Sequence, residues 1–273
     1  MSKPIKPAIN SSLAAGRAIE RARESWKHDG YAIAAKPLVP AEMLDKVRPH
    51  VEAVFRGEYD TGVPPYNNTA DPLNPNKPFV EVAMAHLADR AINEFVRYPA
   101  FGEWVAAVTG ARWLQIWNVQ LMKKQPSTEN EAVVGWHQDD KYLKKILKGE
   151  NINLWIALED VTPEHGPVRF VRGSNHWGDY DTSFFHHDAE GQREQIGIPE
   201  DEVWEEVVPW LPAGCGSIHE RRTLHGSGLN RASTQRLNMI IHLRSEKSEP
   251  VPGSYYMNNL DDERSCPVIF DAR

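Results

Sequence analysis

The sequence is poor in cysteine, in clustered positive charge and in long apolar runs, and each shortage removes a class of function. Only Cys215 and Cys266 are present, far apart and without a Cys-x-x-Cys spacing, so no disulfide scaffold is expected and a reducing compartment fits. Lys and Arg number 31 against 38 Asp and Glu, a formal net charge of -7. A mildly acidic chain with no basic run or aromatic–basic stripe argues against nucleic acid as a partner. No apolar run approaches the ~20 residues that span a bilayer. The opening stretch MSKPIKPAINSSLAAGRAIERARES lacks the unbroken apolar core of a signal peptide, and the final FDAR is not a peroxisomal tripeptide. No membrane partner and a cytoplasmic location are expected. No repeat or low-complexity segment is present.

What is there suffices for a sizeable core: 273 residues, 41% hydrophobic. One domain over residues 1–273 is expected from that length. Residues 14–27 read as a charged helix, and DGYAIAAKPLV after them as a strand. Met43, Leu44, Val47, Val51 and Val54 recur at helical spacing within residues 41–56, where Pro49 predicts an interruption or kink. Residues 60–78, with five prolines, predict a long loop of the kind that binds ligands or forms lids. Residues 86–109 predict one or two helices ending at Gly110. From about residue 112 short runs rich in Trp, Val and Ile alternate with turn signals: RWLQIWNVQLM, INLWIALEDV, VRFV, WEEVVPW, GSIHE and LNMIIHL. The pattern predicts a helix-rich part over residues 1–110, a β core over about 112–244 and a tail over 245–273. Mainly β with flanking helices, it suits a sandwich or barrel of the jelly-roll kind with a site at its mouth.

Within the β core, GWHQDD (135–140) sets one histidine before two aspartates. Side chains two apart share a face of an extended strand. His137 and Asp139 then face one way, and Gln138 with Asp140 the other. An imidazole and a carboxylate, joined by a second imidazole, form the facial triad that holds Fe(II) and leaves positions open for a cosubstrate and O2. The bland alternative for a lone His-x-Asp is a surface turn or a capped strand end. Of the other histidines, His28, His50 and His86 fall in the helical part as surface or packing residues, and His186 and His187 in a polar loop. His225 stands out for its downstream neighbours in LHGSGLNRASTQRLNMII, where Arg236 enters an apolar strand. A buried guanidinium needs a partner: either a dicarboxylate cosubstrate, gripped through two parallel hydrogen bonds, or a protein carboxylate.

These segments together resemble the phytanoyl-CoA dioxygenase family of Fe(II)/2-oxoglutarate oxygenases. The matching stretches are DGYAIAAKPLVPAEMLDKVR, WHQD at 136–139, LWIALEDVTPEHGPVRFVRGSNHWG at 154–178 and PAGCGSIHERRTLHGSGLNRASTQRLNMIIHLR at 212–244, in the family's order. The resemblance implies a double-stranded β-helix, a cupin-like jelly roll. It implies iron ligation by His137, Asp139 and His225. Arg236 would bind the distal carboxylate of 2-oxoglutarate with a hydrogen bond from Ser227, Trp155 would pack beside the cosubstrate, and Gln120, with Lys124 as a weaker candidate, would add a contact. The implied reaction is hydroxylation of a C–H bond of a small organic substrate with O2, releasing succinate and CO2. Related halogenases lack the carboxylate, so Asp139 disfavours halogenation. The alternatives are an enzyme of the same fold with another metal and no 2-oxoglutarate, and a non-catalytic metal- or ligand-binding protein. Tyr66, Asn67, Asn68, Trp136, Lys141, Trp177 and Arg221 are candidates for substrate contact at the mouth. Two departures stand out: Arg172-Gly173-Ser174-Asn175-His176 where Pro-Gly-Ser-His is frequent, and His219 where Phe is common. Neither is expected to touch an iron ligand.

Overall fold

A computed structural model describes residues 8–273 except 72, 75, 129, 184–186 and 255–257, and except the side chains of 8–14. Pro72 and Pro75 of the predicted loop, and His186, lie outside the described residues. The helices are α1 (Ala8–Asp29), α2 (Ala41–Phe55), α3 (Ala85–Ala88), α4 (Arg90–Val96), α5 (Pro99–Thr109), α6 (Asp140–Leu143) and α7 (Ala189–Gln195). The strands are β1 (Tyr31–Ile33), β2 (Asn67–Asn68), β3 (Phe79–Ala83), β4 (Trp113–Lys124), β5 (Val134–His137), β6 (Leu147–Gly149), β7 (Ile152–Ala157), β8 (Val168–Val171), β9 (Glu206–Val207), β10 (Gly216–Glu220), β11 (His225–Ser227), β12 (Arg236–Ser245), β13 (Ser248–Pro250) and β14 (Val268–Asp271).

All the strand pairings are antiparallel. The major sheet runs β1-β10-β7-β12-β4-β3-β2, with β14 also on β4; the minor sheet runs β5-β11-β8-β9; β13 pairs with β6 apart from both. Two sheets with crossing connections and helices on one side make the jelly roll that the sequence predicts. The helices cover the major sheet because its strands alternate, apart from a bulge on β4 at Trp117. On β12, Leu237, Met239 and Ile241 join Val119 and Leu121 of β4 and Leu44, Val47, Val51 and Val54 of α2 in one core. The alternate residues Arg236, Ile240 and His242, with Gln120 and Met122 of β4, face the space between the sheets. Each fully buried aliphatic side chain on the helical side contributes roughly 1.5–3 kcal/mol.

Several expectations change. The α2 helix runs through Pro49, its buried Val47 and Val51 holding the turn on either side. Residues 86–109 form three helices, not one or two, because Asp89 is extended and caps α4 through Ile92 N–H, and Pro99 starts a new helix. Gly110 ends α5 as predicted, at φ 76°. The predicted loop contains β2, which pairs with β3, a strand that the sequence pattern does not announce. The tail likewise supplies β14 to the major sheet. Among the described residues no helix is long and apolar enough to cross a membrane.

Candidate metal centre and its cavity

His137 ends β5 and His225 begins β11, and the two are direct partners in the antiparallel register. Their rings lie 4.1 Å apart between centroids. Each Nδ1 lies beside the carbonyl two residues earlier, His137 at 2.8 Å from Gly135 and His225 at 2.9 Å from Thr223. Donation there fixes the tautomer and makes each Nε2 the lone-pair atom of its ring. Both Nε2 atoms approach Asp139 Oδ1, at 3.7 and 3.8 Å. One ligand atom from each of the three residues lies within 4.8 Å of the others. Burial lowers the imidazoles to about 3 for His137 and about 4 for His225, so both are neutral, the form a metal ion binds. Burial opposes ionisation of Asp139, but His225, the His219 hydrogen bond and His137 outweigh it and hold the carboxyl below the usual range.

Asp139 reaches this place by a different route from the one the strand pattern predicts. The extended run stops at His137, and Asp139 is helical, at φ -62° and ψ -28°, opening α6. Gln138 and Asp140 do turn away. Gln138 donates to the carbonyls of Gly178 and Arg222, at 2.8 and 2.7 Å. Asp140 pairs with the buried Arg221, which also donates to Leu147 and Gly149 carbonyls.

The other oxygen of Asp139 is held from below. Asn153 Nδ2 donates to Oδ2, and His219 Nε2 lies 3.3 Å from it. Asn153 is in turn oriented by Asn151, at 2.9 Å, and Asn151 by the Trp117 indole N–H, at 3.0 Å. The departure at His219 therefore does touch a candidate ligand, contrary to expectation. Pairing of β10 with β7 sets His219 opposite Asn153, and only that long-range register reveals it. Asn153 was missed too; its one trace in the sequence is a lone amide within the apolar run INLWIAL.

These groups open on a cavity of about 320 Å³, also lined by Trp155, Ser227, Arg236 and Gln120. Arg236 is buried, its Nη1 donates to the Gly166 carbonyl, its Nε has no partner among the described residues, and its guanidinium lies 5.9 Å from the Trp155 ring centre. Gly166 permits that approach: at φ 59°, a side chain there would run into the carbonyls of Gly228 and Leu229. Beside Arg236 in the β4–β12 register is Lys124, whose Nζ donates to Ser227 Oγ and the Gly228 carbonyl, both at 2.7 Å. That bond occupies Ser227 as acceptor and leaves its O–H free to donate. Burial pulls Arg236 down to about 9 and Lys124 well below its ordinary value, the latter aided by Arg236 and Arg169. Among the described residues no carboxylate pairs with either group. Gln120 lines the cavity with both amide ends engaged, to Glu81 at 2.6 Å and to His242 at 2.7 Å.

None of the seven mouth candidates lines this cavity. Trp136 alternates with His137 on β5 and is fully buried against Trp204 under Arg169. Trp177 packs near the same Trp204, and Lys141 pairs with Asp181 at 2.6 Å. Arg221 is committed to Asp140; Asn67 and Asn68 form β2; Tyr66 is half exposed outside it.

The phytanoyl-CoA dioxygenase (PhyH) family model matches residues 26–237. A curated protein of Stutzerimonas stutzeri, the probable alpha-ketoglutarate-dependent hypophosphite dioxygenase, is 26% identical over 190 residues, 67% of this chain. The match spans only 62% of that relative's length. Among solved structures, the non-heme alpha ketoglutarate dependent epimerase SnoN from nogalamycin biosynthesis superposes with a TM-score of 0.69 at 20% identity, covering 90% of this chain and 89% of that one. The carbocyclase SnoK from the same biosynthesis does so at 0.68 and 18% identity, covering 92% and 96%.

Proposed function

The chain belongs to the phytanoyl-CoA dioxygenase family, and from that premise we propose that it is an Fe(II)- and 2-oxoglutarate-dependent dioxygenase hydroxylating a C–H bond of a small organic substrate. One observation carries the reading. Two neutral imidazoles and an ionised carboxylate converge beside the buried Arg236 guanidinium, which no carboxylate neutralises among the described residues, with the buried Lys124 amine next to it. An unpaired buried charge costs several kcal/mol, roughly, unless a ligand compensates it.

His137, Asp139 and His225 would hold the metal through Nε2, Oδ1 and Nε2, with Asn153 and His219 keeping the second Asp139 oxygen turned away. Arg236 would grip the distal carboxylate of 2-oxoglutarate, Ser227 would donate to it, and Lys124 would hold Ser227 in place by donating to its Oγ. Trp155 would wall the cosubstrate on one side, and Gln120, with one N–H given to Glu81, would keep its second N–H for a contact with the cosubstrate. When bound, iron would present O2 as the oxidant and 2-oxoglutarate would supply two of the four electrons that reduce it, leaving as succinate and CO2, so that one oxygen atom ends in succinate and the other in the substrate. The protein's part is to fix that geometry in a buried cavity and to limit access by water.

The buried Arg236 guanidinium speaks against the two alternatives, since a metal enzyme without 2-oxoglutarate and a non-catalytic binder need no dicarboxylate clamp. The cavity is larger than a hypophosphite ion and within the range of small-molecule sites, which favours an organic substrate. We also propose that residues 1–273 form one such domain, because β1 and β14 from opposite ends of the chain join the same sheet. The test is conversion of 2-oxoglutarate to succinate by anaerobically iron-loaded protein after O2 is admitted, with and without candidate substrates. Succinate formation is expected to rise with substrate. Tight zinc binding with no turnover of 2-oxoglutarate would overturn the reading.

A further inference from the structure

The cavity wall also holds an acidic side chain, Glu81, partly open to solvent and without an ion-pair partner among the described residues. Glu81, on β3, accepts from Gln120 Nε2 at 2.6 Å, and Gln120 Oε1 lies 2.7 Å from His242 Nε2. A carboxylate can only accept, so Gln120 turns its NH2 to Glu81 and its oxygen to His242, and His242 carries its proton on Nε2. Burial keeps the His242 ring neutral, with a pKa of about 4. When Glu81 is ionised, both donors of this chain point towards it. Yet among the described residues no Lys, Arg or His lies within ion-pair distance of Glu81, and burial pushes its carboxyl up. Gln120 satisfies one oxygen; among the described residues no hydrogen bond reaches the other.

Glu81 also stands at a junction. A second cavity of about 350 Å³, with Thr69, Lys77, Glu131 and His187 on its walls, meets the first at Phe79, Glu81 and Val134. Lys77 is turned to the Thr69 carbonyl, at 2.9 Å, and does not neutralise Glu81. Glu81 therefore borders both the cavity that holds His137 and His225 and its neighbour.

We infer that Glu81 is the group that recognises the substrate, and that the substrate carries a protonated amine that docks on Glu81 where the two cavities meet. The inference rests on reading the first cavity as the oxygenase site. With 2-oxoglutarate on Arg236 the deep end is neutralised, so Glu81 is the group left to distinguish an ammonium from an oxyanion.

The test uses the full chain loaded with Fe(II) and 2-oxoglutarate under argon, and four probes: cyclohexylammonium, cyclohexanol, cyclohexanecarboxylate and hypophosphite. Binding is followed by calorimetry and saturation-transfer NMR. Cyclohexylammonium is expected to bind about 10-fold more tightly than the alcohol and the carboxylate, as for a partly desolvated charge pair. Glu81→Gln should remove that preference while leaving 2-oxoglutarate affinity unchanged. Should Glu81→Gln fail to fold, the ranking of the four probes on the unaltered protein decides. The inference is overturned if the ammonium shows no preference or no binding, if an anion binds best, or if the preference survives Glu81→Gln. Failure of 2-oxoglutarate to bind the unaltered protein would instead strike the dioxygenase reading, and the same titrations register it separately.

Discussion

At its deep end the cavity holds Lys124 and Arg236, both buried and, among the described residues, neither facing a carboxylate. At its junction with the neighbouring cavity it holds Glu81, facing no cation among those residues. The two groups of opposite sign lie on one sheet face, yet they do not pair. Strand register keeps them apart: Lys124 and Arg236 lie opposite each other across β4 and β12, while Glu81 lies opposite Met122. The lack of a carboxylate at Arg236 and of a cation at Glu81 fits the two ligands proposed above, a dicarboxylate deep in the cavity and an amine at the junction. The metal triad lies between two classes of support. Asp139 is held by amide and imidazole donors, whereas each histidine is oriented through Nδ1 by a backbone carbonyl.

The contrast can be broken most sharply at the triad. His137→Ala or Asp139→Ala should weaken Fe(II) or Co(II) binding by more than about 100-fold, beyond what loss of a supporting residue does, as read by anaerobic metal titration. Retained metal in Asp139→Ala would remove the centre from which both ends are measured. Next comes the deep end. Arg236→Leu should raise the 2-oxoglutarate requirement by about 100-fold, the size expected for truncating a buried charge pair, with metal affinity nearly intact. Unchanged dependence on 2-oxoglutarate would leave the deep charges without a ligand. A smaller effect separates the supports. His219→Phe, which restores the residue common in the family, should lower metal affinity by about 10-fold because Asp139 Oδ2 loses one of its two partners; an unaltered titration would show that Asn153 suffices. The least effect on the site is expected at Asp140. Asp140→Ala should bind metal normally and lose about 1.5–3 kcal/mol of stability in urea unfolding, since the Arg221 guanidinium loses a charged partner.

Much of the fold was legible because β4, β7 and β12 are long apolar runs bounded by turns, and a period of two is hard to mistake over ten residues. The pair His137 and Asp139 was also legible, although for an incomplete reason. Spacing predicts a shared strand face, while the chain turns helical at Asp139 and brings the carboxylate in from a helix start. The mouth candidates do not line the cavity, on the same ground. Whether Trp136 or Arg221 faces a cavity depends on where a strand ends and what packs behind it, and both proved to be buried supports. Glu81 was passed over because FVEVA is short and comes after a proline-rich stretch, so its alternation carried little weight until β3 was seen beside β4.

The sequence by itself determined which residue types are available for the chemistry: two histidines and an aspartate of ligand type, an arginine committed to an apolar strand, and alternation that assigns each strand residue to a face. Those are local properties, set by side-chain chemistry and the geometry of an extended chain. Tertiary structure alone decided which neighbours each charge meets. Pairing of β10 with β7 placed His219 against Asp139, and pairing of β3 with β4 placed Glu81 on the cavity wall, apart from Lys124 and Arg236 at the deep end. Register depends on contacts between residues distant in the chain, and no short window of sequence contains them.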